Sequence, residues 1–277
     1  MINKNDLWDK YNSPILDDIK HDLDDYKSTL LTHFQIKTPS GLHDSLRSVH
    51  MAISLLNGYG HDAFFNQPDI SSELHALSIH LLNRAIISSF QGDYSLSRFA
   101  LRGSLELTGK EMALLNSKVP RDKFSNNLEE NISSFKKTIF SRADLRTQSL
   151  KNHNYPLTHK KRVKASFKKI VDYGREELYG NLSEAVHFRV SINDSLATTL
   201  VEMSKSPATL SSVKSSLNLV LKVSTYELFV LQLNDITTIE KRISFPRQEL
   251  IDFFFRESDM PLIDDFNNVL KFSREFL

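Results

Sequence analysis

The chain has 277 residues, with 35 Lys and Arg against 34 Asp and Glu; that length can bury a core without staples, and a net charge of +1 exerts no global pull toward nucleic acid or an anionic membrane. It holds no cysteine, which removes disulfides, thiolate metal ligands and a cysteine nucleophile. Gly and Pro number eight each, so chain breakers are scarce and long helices are favoured over strands and turns. The opening MINKNDLWDK has no apolar h-region, and the longest apolar run, Leu217 to Leu233, is interrupted by Lys222 and Glu227. A soluble, cytoplasmic protein with no membrane association is therefore expected.

Helix signals recur along the chain. Ser13-Pro14 makes an N-cap and first-turn pair, and Leu16, Ile19, Leu23, Tyr26, Leu30 and Phe34 follow at spacings of three and four, with aspartates on the other face. A second helix carries Leu42, Leu46, Val49, Ile53 and Leu56 and is expected to stop at Asn57-Gly58. A third runs through Leu74, Leu77, Leu81 and Ala85 toward Gly92. Asp93 or Ser95 can cap the fourth, whose apolar stripe is Leu96, Phe99, Ala100, Gly103, Leu107 and Leu114. The fifth stripe is Phe124, Leu128, Ile132, Phe135 and Ile139.

KNHNYPLTH, residues 151 to 159, then reads as a loop, because Pro156 disfavours helix at Tyr155. Val163, Phe167, Ile170 and Val171 restart a helix that Gly174 is placed to kink. Beyond Ser206-Pro207 another helix carries Leu210, Val213, Leu217, Val220 and Leu221, and two short helices follow Pro246 and Pro261. No alternating pattern is long enough for a sheet. The expected class is all-α, a bundle of roughly seven or eight helices, with residues 1–236 as the bundle and 237–277 as a short helical appendage.

Two stretches carry a resemblance. FQGDYSLSRFALRGSLELTGKEMALL contains Gly92, Tyr94, Arg98, Arg102 and Glu106, and ELYGNLSEAVHF has the form Tyr-x-x-Leu-Ser-x-x-Val-His. Together, over residues 70–190, they resemble a group of bacterial helical proteins related to the HEPN superfamily, several of which belong to phage-defence and toxin settings. The resemblance implies a metal-independent ribonuclease or a non-catalytic relative. In the active form an Arg, then four to six residues, then a His lie on one helix, usually with two subunits facing; the His moves a proton at a 2′-hydroxyl and the Arg stabilises phosphate charge. Here the nearest Arg upstream of His187 is Arg175, about 18 Å along an α-helix and about 120° around it. Arg146 and His153 have the family spacing, but so common a spacing carries no weight. The non-catalytic relative fits better.

Under the ribonuclease reading His187, Arg102, Glu106 and Ser183 form the site. Leu182, Ser183, Val186 and His187 share a helix face with Tyr179, so Ser183 and His187 are expected to be buried against the helix bearing Arg102. The plainer reading makes His187 a satisfied interior histidine and Arg102–Glu106 a boundary ion pair. His43, Arg47 and His50 read as a solvated face. No metal site or phosphate loop is legible and no cofactor is expected: His75 and His80 point about 140° apart on a helix, and DDIKHDLDD lacks the Gly and terminal Glu of a calcium loop. Residues 151–169 hold seven Lys or Arg and no acid, whereas residues 6–25 hold seven aspartates. Lys160, Lys161, Arg162, Lys164, Lys168 and Lys169 are the nucleic-acid-binding candidates; alternatively this segment balances the acidic first helix. The leading expectation is a non-enzymatic interaction protein of a bacterial defence or mobile-element system, with a protein partner or a homodimer; the alternatives are a dimeric HEPN-like ribonuclease and a nucleic-acid binder without chemistry.

Overall fold

A computed structural model describes residues 14–64, 70–116, 157–186, 209–232 and 247–276. Among these the protein is all-α, with eight helices and no strand. Helix α1 is Pro14–Phe34, and a 3₁₀ turn at Ser40–Leu42 leads into α2, His43–Phe64. Helices α3 (Ile70–Phe90) and α4 (Tyr94–Asn116) follow. Helix α5 is continuous but changes its winding, from α-helical Leu157–Asp172 through π-helical Tyr173–Gly180 to α-helical Asn181–Val186. Helices α6 (Leu210–Gln232), α7 (Arg247–Glu257) and α8 (Ile263–Phe276) complete the described chain. The expected fifth stripe, 124–139, lies outside the described residues.

Helices α3 and α4 form the most extensively packed pair, and two adjacent residues make the hairpin. Gly92 has φ 79°, the left-handed conformation that a side chain disfavours. The Asp93 N–H then reaches Ser88 O at 2.9 Å and the Gly92 N–H reaches Ser89 O at 3.2 Å, which closes the end of α3 in a Schellman motif. Asp93 also caps α4 through its Oδ1, which accepts from the Leu96 N–H at 2.9 Å. One helix thus ends and the next begins across only three residues, Gln91 to Asp93.

The hairpin buries only part of each apolar stripe, Ala85 on α3 and Ala100 on α4 with Leu82, Ile86, Leu101 and Leu105 beside them, and leaves large outer members in solvent. Leu77 is 51% exposed and Phe99 57% exposed, while His75, Ser78, Ser89, Ser97, Ser104, Thr108 and Glu111 are buried. Both helices are rotated toward their small residues, because small side chains let two backbones approach closely and large ones hold them apart. A Cβ added at Gly103 would lie 2.9 Å from Leu81 Cδ1, a measure of that closeness. The second correction is at Asn57-Gly58, where α2 continues to Phe64. Gly58 keeps a negative φ, and an interior glycine costs only about 1 kcal/mol, too little to stop a helix whose apolar face is buried.

Helix α6 runs through the centre of the bundle, packing on α2, α3 and α4. Its Phe229 meets Phe254 and Phe255 of α7 and Phe266 of α8, with ring centroids 5.0 to 6.3 Å apart. Helices α7 and α8 therefore contribute to the same buried cluster as α2 and α6. Helix α8 lies along α5, where Asn268 donates to Ser166 Oγ at 3.2 Å.

The π-helical segment has a local cause. The Tyr226 hydroxyl, from α6, donates to Ile170 O at 3.1 Å, taking the carbonyl that an α-helix would give to the Gly174 N–H. A side chain inserted into the ladder in this way widens or kinks a helix. Only glycine fits beside it, since a Cβ on Gly174 would lie 2.1 Å from Tyr226 Oη.

Candidate functional site

The π-helical segment carries Tyr179 to α4, where the two sequence stretches meet. Arg102 Nε donates to Glu106 Oε1 at 3.0 Å, and Arg102 Nη2 donates to Tyr179 Oη at 2.9 Å. The Tyr179 hydroxyl donates in turn to Glu106 Oε1 at 2.8 Å, and the guanidinium carbon stands 5.0 Å from the Tyr179 ring centroid. The three side chains close a partly buried triangle. Burial and the Glu106 carboxylate hold the Tyr179 phenol above its ordinary range, with Arg102 opposing; charge-assisted bonds of this kind fix orientation. Arg102 and Glu106 are thus engaged with each other and with Tyr179, a residue the spacing did not nominate, and neither bonds Ser183.

Leu182 is fully buried where Asn181–Val186 packs on α4. Ser183 Oγ is buried and has no hydrogen-bond partner among the described residues. His187 lies outside the described residues, as do Arg146 and His153. Arg175 forms ion pairs with Asp172, at 3.6 Å, and with Glu176.

The basic segment is split by its own packing. Val163, Ser166, Phe167 and Ile170 are buried, which turns Lys161, Arg162 and Lys164 outward. Lys168 pairs with Asp172 on the same helix, and Lys169 pairs with Asp265 of α8 at 3.5 Å. The acids that balance these two lysines belong to α5 and α8, whereas the sequence pointed to the acidic first helix. Of the Lys160 side chain nothing is described.

A polar assembly that the sequence reading missed occupies the seam between α3, α4 and α6. At one end Ser89, Ser97 and Ser216 bring their hydroxyls within 2.7 to 3.2 Å of one another. In the middle, Ser104 Oγ donates to Glu227 Oε1 at 2.7 Å, Ser78 Oγ lies 3.3 Å from Glu227 Oε2, and the two serine oxygens are 2.8 Å apart. At the far end His75 Nδ1 meets both Glu111 oxygens, at 3.1 and 3.2 Å, while its Nε2 donates to Leu56 O at 3.0 Å. That carbonyl can only accept, so Nε2 carries a proton; Nδ1 and Glu111 then share one further proton between them. His75 and Ser78 on α3, and Ser104, Thr108 and Glu111 on α4, recur at helical spacing, the one signal in the sequence that could have found them.

An open cleft of about 540 Å³ lies between α1, α2 and α3, lined by Asp22, Tyr26, His50, Asn57, His80 and Arg84 among others. His50 tilts against the Tyr26 ring at 5.2 Å between centroids, and burial lowers its pKa, with Asp22 opposing. His50 is thus half-buried against Tyr26, unlike the solvated residue the sequence suggested. Among the described residues no cluster of three or more His, Asp or Glu side chains is arranged to hold a metal, and no described helix is long and apolar enough to cross a membrane. No family model, curated protein or solved structure matches the chain.

Proposed function

We propose that the chain is a non-catalytic helical interaction protein, a HEPN-related accessory component of a bacterial defence or mobile-element system. One observation carries the non-catalytic half: Arg102, one of two arginines in the resembling stretch and the one placed in the ribonuclease site, is closed into a triangle with Glu106 and Tyr179. A guanidinium stabilises phosphate charge best with its charge and its fork unspent, and here the Arg102 Nε–H and one Nη2–H are committed in a partly buried site where the Glu106 carboxylate already balances its charge. The resemblance in residues 70–190 supports the accessory setting and a protein partner or second copy.

The experiment is incubation of the purified chain with single-stranded and structured RNA in excess chelator. Intact RNA is the expected result. Chelator-resistant cleavage that His187→Ala abolishes, with the thermal transition unchanged, refutes the reading in favour of the dimeric ribonuclease. A nucleic-acid-binding role is the second reading, favoured by the outward placement of Lys161, Arg162 and Lys164 on one helix.

A further inference from the structure

Glu227 is fully buried, and among the described residues no Lys or Arg is ion-paired with it. Its ring with Ser78 and Ser104 has three edges: 3.3 Å from Glu227 Oε2 to Ser78 Oγ, 2.8 Å from Ser78 Oγ to Ser104 Oγ, and 2.7 Å from Ser104 Oγ to Glu227 Oε1. Each edge needs a proton, and the two hydroxyls supply one each. A protonated carboxyl supplies the third. An ionised one leaves two acceptor oxygens facing each other along one edge and an uncompensated charge in the core. Thr108 Oγ1, 3.4 Å from Ser78 Oγ, adds a donor to the cluster, but whichever edge it assists, the ring remains one proton short.

We propose that the seam between α3, α4 and α6 is a proton-operated latch, closed when Glu227 carries a proton and released when it ionises. Burial pushes the Glu227 carboxyl up to about 8; the hydroxyls, Ser104 foremost, oppose the rise and the Glu111 carboxyl adds to it. Glu111, on α4, is itself raised by burial against the opposing pull of His75 on α3. These are the titratable groups of the hairpin in the cluster; α2 and α7 also pack on α6, and among the described charged groups Glu111 is the one that acts on Glu227. Because the folded pKa lies above the unfolded one, the stability tied to this proton is fully present below about pH 4.5 and is lost as pH rises to about 8.

The neighbouring residue gives the latch its reach. Tyr226 holds the π-helical segment through Ile170, and that segment presents Tyr179 to Arg102 and Glu106. Release at Glu227 therefore loosens α6 and the Tyr179 end of α5 together, which makes that contact responsive to pH.

The test compares urea unfolding of the wild type, Glu227→Gln and Ser104→Ala from pH 5 to pH 9. The wild-type folding equilibrium constant should fall roughly tenfold per pH unit between about pH 5 and pH 8, beyond whatever slope the Gln variant shows. Glu227→Gln supplies the third proton as an amide that cannot ionise, so it removes that excess slope. Ser104→Ala removes a donor to the carboxylate, so its transition persists with the alkaline end moved upward. Hydrogen exchange, corrected for the intrinsic rate, should quicken at alkaline pH in α6 and in Tyr173–Gly180 together. At pH 7, infrared difference spectra of wild type against Glu227→Gln should show the carbonyl stretch of a protonated acid. Parallel slopes for wild type and Glu227→Gln, or a carboxylate spectrum at pH 7, overturn the latch. Should the Gln variant not fold, an unshifted or absent transition in Ser104→Ala overturns it alone.

Discussion

Gly174→Ala tests whether Tyr226 sets the winding of α5. The new Cβ would stand 2.1 Å from Tyr226 Oη and 2.4 Å from its Cζ, well inside van der Waals contact, so one partner must move by more than 1 Å. Tyr226 cannot yield cheaply: it is 3% exposed, packs against Tyr173 and donates to Ile170 O. Overpacking of this kind costs about 1–3 kcal/mol, and losing the buried hydrogen bond adds about 1 kcal/mol or more. The helix-propensity gain of Ala over Gly returns about 1 kcal/mol. A net loss of about 1–3 kcal/mol should lower Tm by roughly 2–12 °C in a chain of this size. The assay is thermal unfolding by circular dichroism on a double-mutant cycle with Tyr226→Ala, in whose background Gly174→Ala should become neutral or slightly stabilising. An unchanged or raised Tm in the single variant, or additive effects in the cycle, refutes the argument.

Asp93→Ala should destabilise by about 0.5–2 kcal/mol in urea unfolding, because it removes the cap on α4, while Asp93→Asn should retain most of the stability. Lys160, Lys161 and Arg162 changed together to Ala should leave the fold intact. If the segment engages a phosphate backbone, wild-type affinity for labelled nucleic acid should fall with a log-log salt slope of about −3 to −5 for four or five neutralised phosphates. The expectation here is the weaker outcome, since Lys168 and Lys169 are already paired with Asp172 and Asp265; tight binding at about 0.2 M salt, lost in the triple variant, refutes it.

Periodicity and capping in the sequence determined the class and most helix positions: Pro14, Gly92 and Asp93 mark boundaries the structure keeps. These signals are local, written in φ preferences and in side chains that bond the nearest backbone. Hydropathy placed Ala85 and Ala100 on the buried faces of α3 and α4 correctly, but it also put Leu77 and Phe99 there and gave no sign of Ser78 and Ser104, because a polar side chain reads as solvent-facing until its partner is known. That partner is Glu227, 149 residues from Ser78 along the chain, and no window of sequence joins them. Likewise Gly174 was legible as a possible break, but the hydroxyl that converts α5 to a π-helix comes from α6. The tertiary structure decided which polar groups are buried, since burying one is tolerable only where another helix completes its hydrogen bonds.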